Sequence, residues 1–63
     1  MTKLKKIMEL NHVDALELSN ETGISLRTVI SYMTGERSIS RGRADYVLMI
    51  ANALGVDIWE VLE

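Results

Sequence analysis

The stretch "TGISLRTVISYMTGERSISRGR", residues 22–43, decides how the rest of the chain is read. It is a helical segment between Gly23 and Gly35, followed by a loop that carries Arg37, Arg41 and Arg43. At helical spacing Ile24, Val29 and Tyr32 share a side that can face a core. The other side holds Leu26, Arg27, Ile30, Ser31 and Thr34, without the Glu and Lys that a water-bathed helix face carries. Such a face is expected to touch something.

Working outward, the apolar spacing stays helical. Leu4, Ile7 and Met8 fall at i, i+3, i+4 behind Thr2, a residue suited to cap a first helix. Asn11 and His12 read as a break. Asp14 then precedes a second helix, and Glu17 three residues later completes a D-x-x-E capping box. This helix runs through Leu18 to Thr22 and stops at Gly23, a residue suited to a left-handed C-terminal position. Ser25 caps a third helix that ends near Thr34, before Gly35. "ERSISRGR" follows as a loop. A fourth helix covers about Ala44 to Leu54, with Val47, Ile50, Ala51 and Leu54 at core spacing, and Gly55 stops it. A short fifth helix begins after Asp57, with Ile58, Val61 and Leu62 inward. No run alternates with period two for long enough to be a strand. The expectation is an all-α, five-helix domain.

The second and third helices, joined by a tight turn at Gly23, have the spacing of a helix-turn-helix over about residues 15–34. Ser19 supplies the small residue where the third helix packs across the second. Gly23 supplies the residue tolerant of positive φ. Val29 supplies an apolar anchor facing back, and Ile24 an apolar residue directly after the turn.

On these residues the chain resembles the Cro/CI-type domains, also called XRE-like or lambda-repressor-like. The resemblance spans Leu4 to Leu62 and is strongest in "ELSNETGIS" (17–25), Gly35 and "IANALGVDIWEVL" (50–62). It implies a five-helix fold that sets helix three in the DNA major groove. Carried over, the base-reading positions fall on Leu26, Arg27, Ile30 and Ser31, with Thr28 nearby. An arginine can donate two hydrogen bonds to guanine, and Leu26 or Ile30 can meet a thymine methyl. The competing reading makes Arg27 a solvated surface residue and Leu26 and Ile30 half-buried. Phosphate contacts, which position a protein without reading sequence, fall on Ser25, Arg37, Ser38, Arg41 and Arg43, with Ser40 adding a hydroxyl. Gly42 is either a bend for close backbone approach or a plain loop glycine.

Three departures from the family pattern stand out. The loop after Gly35 is about three residues longer than usual. Ala15 replaces the glutamine that often braces a phosphate, leaving that helix's backbone N–H groups for the role. Met8 and Met33 stand where the family often has a buried arginine–glutamate pair, and are expected to pack together.

Length and composition bound the rest. Sixty-three residues with no cysteine make one small domain, without disulfides or thiolate metal sites. No apolar run approaches the ~20 residues of a membrane span, and the "MTKLKKIMEL" start lacks the continuous apolar stretch of a secretory signal. A reducing cytoplasm fits. The net charge of −2 hides segregation: residues 1–8 carry +3, 9–24 carry −4, 25–43 carry +3 and 44–63 carry −4. Phosphate responds to local potential more than to the total.

His12 has no second histidine or cysteine with which to bind a transition metal. No Ser, His and Asp spacing implies a triad, and so small a core leaves no room for a substrate pocket. The expectation is a non-enzymatic regulator without metal, cofactor, membrane or small-molecule substrate, binding double-stranded DNA as a homodimer. Trp59, beside Val56 and Leu62, is either a dimer contact or a lid folded over the core. Tyr46 and Met49 read as outward on helix four. The rival reading is a protein-interaction module on the same fold, an antitoxin- or antirepressor-like subunit.

Overall fold

The first three helices each start where a side chain accepts a backbone N–H that the helix itself leaves free. The computed structural model describes all residues, Met1–Glu63. In order these form α1 (Lys3–Leu10), α2 (Ala15–Thr22), α3 (Leu26–Thr34), a 3-10 turn (Ile39–Arg41), α4 (Ala44–Leu54) and α5 (Ile58–Val61), with no strand. Thr2 Oγ1 accepts the Lys5 N–H at 3.1 Å and donates to the Met33 carbonyl at 2.7 Å. One hydroxyl therefore starts α1 and ties it to the end of α3.

The α1–α2 break occurs at His12, the one non-glycine residue with positive φ, at 56°. Asp14 caps α2 by accepting the Glu17 N–H at 2.8 Å. Only this half of the expected capping box forms. The reciprocal arrangement appears at α5 instead, where the Asp57 N–H donates to Glu60 Oε2 at 3.0 Å.

The α2–α3 connection is the most constrained turn. Gly23 adopts φ 78° and donates its N–H to the Ser19 carbonyl at 2.8 Å. Any L side chain is strained in that region. Ser19 does more than stay small, because its hydroxyl donates to the Ile24 carbonyl at 2.6 Å and fixes the chain leaving the turn.

Twelve buried apolar residues form one core. Leu4 and Met8 come from α1, Leu18 from α2, Val29 and Tyr32 from α3, four residues from α4, and Val61 from α5. Ile24 joins them from the α2–α3 turn. Ile39 is the unforeseen member. The segment read as a plain loop contains the 3-10 turn, and this isoleucine is only 3% exposed. α4 buries Val47, Ile50, Ala51 and Leu54 as expected, but Tyr46 and Met49, read as outward, pack half-buried against the core, while Leu48 points outward. Glu63 joins two distant segments, since its carboxylate accepts the Lys3 N–H at 2.8 Å and its own N–H donates to Ser40 Oγ at 3.1 Å. No helix is long and apolar enough to cross a membrane.

Gly42 is required by space and not by backbone angle, since its φ is −76°. A Cβ there would overlap the Tyr32 hydroxyl and lie 2.9 Å from Tyr32 Cζ. The close approach is therefore to a core tyrosine. Gly42→Ala is expected to displace Tyr32 and cost about 1–3 kcal/mol, as overpacking does. Adding Tyr32→Phe removes the nearest atom and should recover part of the loss in a urea melt. Equal stability of Gly42→Ala and wild type would show that the loop yields freely.

Candidate nucleic-acid interface

α3 has its phase fixed from inside. Val29 (0% exposed) and Tyr32 (3%) turn inward, so Leu26, Arg27 and Ile30 turn outward, as expected. Leu26 is 39% and Ile30 44% exposed, so each is partly covered and presents the rest of its side chain to solvent. These two line an open depression together with Arg27, Ser31 and Glu36. Four of the five expected base-reading residues therefore meet in one place.

Ser31 differs from expectation. It is only 9% exposed and forms part of the depression wall instead of projecting from it. It neighbours Tyr32 in sequence and so sits at the edge of the buried face. Its carbonyl accepts the Arg37 N–H at 3.2 Å and the Thr34 hydroxyl at 3.3 Å. The hydroxyl itself makes no bond within the chain, and no unpartnered side-chain oxygen is sealed from solvent. A small donor or acceptor at the depression wall remains. Thr28 is half-buried, and its hydroxyl accepts from Ser25 Oγ at 2.9 Å. Ser25 Oγ in turn accepts the Thr28 N–H at 3.3 Å. Both hydroxyls are thus partly committed to starting α3.

The loop residues separate into free and committed groups. Arg37 and Ser38 are exposed, and the Arg37 N–H bond to Ser31 keeps that arginine's backbone beside the end of α3. Arg41 is exposed at the end of the 3-10 turn. Ser40 is occupied by the backbone of Glu63. Arg43 is the clearest departure, because it is not a free cation. Its Nε and Nη2 donate to the two Asp45 carboxylate oxygens at 3.1 and 2.8 Å. Its guanidinium also lies 4.5 Å from the centre of the Tyr46 ring. The pair is the chain's single ion pair, so Arg27, Arg37 and Arg41 hold no carboxylate. Hydrogen bonding to Asp45, reinforced by its charge, raises the Arg43 pKa above its ordinary value.

Two residues that sequence reasoning left out belong in this description. Glu36 enters the depression beside Arg27; the only signal was its position directly after Gly35. Asp45 neutralises Arg43, and its place two residues further along was the signal. At α2, the Asp14 carboxylate occupies the Glu17 N–H, so that donor is not open to a phosphate. On the far segment Trp59 is 75% exposed. It does not fold over the core, whereas Val56 and Leu62 pack half-buried against it.

No family model matches the chain, and no curated protein or solved structure matches it either.

Proposed function

We propose that the chain is a sequence-specific DNA-binding regulator of the small repressor or Cro kind. In this reading α2 and α3 form a helix-turn-helix within a Cro/CI-type domain. α3 enters the major groove, and the protein acts in the cytoplasm as a homodimer on a two-fold symmetric operator. The observation that carries the reading is the outer face of α3, where Leu26 and Ile30 are exposed beside an Arg27 that no carboxylate holds. An apolar pair and a free guanidinium match what thymine methyls and guanine edges offer in the major groove. Arg37 and Arg41 supply phosphate contacts that orient the helix without reading bases. Trp59 is the exposed aromatic around which a symmetric contact can form.

The test is selection from a random duplex pool with wild type and Arg27→Ala. Wild type should enrich a two-fold symmetric motif. The variant should lose discrimination at one base pair per half-site, by ~1–3 kcal/mol. No enrichment by a folded wild-type protein would reject the reading.

One observation favours a second reading, a protein-interaction module of antitoxin or antirepressor type. Leu26 and Ile30 share their depression with the acidic Glu36, and Arg43 is already neutralised. Such a surface suits a partner's apolar side chains as well as it suits bases.

A further inference from the structure

The Arg43–Asp45 pair does something that helix stability does not require. An arginine fork matches a phosphate as well as it matches a carboxylate, through two parallel N–H···O bonds. Here that fork is filled by Asp45 oxygens at 3.1 and 2.8 Å. A third contact, Nη1 to the Tyr46 hydroxyl at 3.4 Å, and the stacking at 4.5 Å on the half-buried Tyr46 ring hold the plane in place. Both partners remain open to water, with side chains 67% and 55% exposed. An exposed pair of this kind contributes little to folding. Its accessibility nevertheless leaves an incoming phosphate able to compete for the same fork.

We infer that Asp45 is an internal competitor for phosphate, which occupies the Arg43 fork in the free protein and lowers the affinity of this segment for nucleic-acid backbone. The inference rests on the DNA-binding reading. Arg43 then contributes to binding only by exchanging Asp45 for a phosphate oxygen, so the gain in attraction is reduced by the contact given up. Releasing Arg43 restores a cation whose phosphate contact displaces counterions, steepening the salt dependence. The consequence is selectivity. A weakened backbone contact lowers binding to every sequence alike, and leaves base contacts on α3 a larger share of the total.

Asp45→Asn tests this cleanly. Asparagine keeps an oxygen for the Tyr46 N–H, which Asp45 Oδ1 now accepts at 3.0 Å, so the start of α4 survives. Circular dichroism should confirm an unchanged fold. On a short duplex of scrambled sequence, the variant should bind roughly three- to tenfold more tightly at low salt. The slope of log affinity against log salt should steepen by about one unit per protomer. In an Arg43→Gln background the same change should give no such gain. Several outcomes overturn the inference. Unchanged or weaker binding by Asp45→Asn would mean that Asp45 does not compete, or that it positions Arg43 productively. A gain that persists with Arg43→Gln would be a general charge effect. Failure of wild type and both variants to bind any duplex would instead reject the DNA-binding reading itself.

Discussion

Met8→Arg is expected to remove ~3–5 kcal/mol of stability, and Met33→Glu added to it should restore much of that loss. Met8 is 1% exposed on the face of α1 that also buries Leu4. A guanidinium introduced there has no carboxylate to meet, and an unpaired charge taken out of water is among the costliest single changes. A domain of this size holds only about 3–9 kcal/mol in total, at roughly 0.05–0.15 kcal/mol per residue. The single variant should therefore lose a third or more of the domain's stability and melt at a clearly lower temperature. Met33 lies near the end of α3, half-buried against the same core. Its carbonyl receives the Thr2 hydroxyl at 2.7 Å, which locks the start of α1 to this end of α3. A glutamate at 33 is carried on the helix end to which α1 is fastened, and it is expected to supply the missing counter-charge. Thermal melts of the single and double variants decide the matter. A double variant no better than Met8→Arg would show that positions 8 and 33 do not communicate, and that each methionine packs independently. Recovery would mean that two apolar side chains stand in for an ion pair without loss of fold, as removing both partners together allows.

The boundaries of the helices were legible because their signals are local. A capping Thr2, Asp14 or Ser25 and a terminating glycine act within four residues, and the structure keeps each of them. The misreadings occur where the deciding partner lies far away in the chain. Ile39 stands alone among polar residues, so no periodicity marked it as core; its burial depends on what packs over the 3-10 turn. Gly42 reads from sequence as a bend for close approach or a plain loop glycine, but its need for hydrogen at Cα comes from Tyr32, ten residues earlier. On α4 a strip of apolar residues wraps most of the helix. The sequence reading put Tyr46 and Met49 on the outer face, where the structure puts Leu48. The α3 face was easier to read, because Val29 and Tyr32 fix its phase. Ser31 is more buried than the outer side to which its spacing assigns it, because it sits at the boundary between the two sides. The pairing of Arg43 escapes the sequence for a different reason: a count of charges treats every arginine as available, while Asp45 holds this one in the free protein.

Salt separates the two functional readings by the widest margin. The two arginines per protomer assigned to phosphate, Arg37 and Arg41, hold no carboxylate. A DNA-bound homodimer then neutralises about four phosphates, and each contact contributes about −0.9 to the slope of log affinity against log salt. Duplex affinity should fall roughly 10²-fold between ~50 and ~200 mM salt. The fall comes from counterions released by DNA, so it appears on scrambled duplex as well as on a selected operator. A partner protein docked on Leu26 and Ile30 behaves differently. Its binding derives from apolar area, which salt does not weaken and which strongly excluded salts strengthen. The charges at that site, Arg27 and Glu36, oppose each other and leave little net field to screen. Titration of fluorescently labelled duplex across this salt range should therefore give a steep line if the outer face of α3 reads DNA. A flat line would mean that Arg37 and Arg41 touch no phosphate. The exposed Leu26 and Ile30 would then be the anchor for a protein partner.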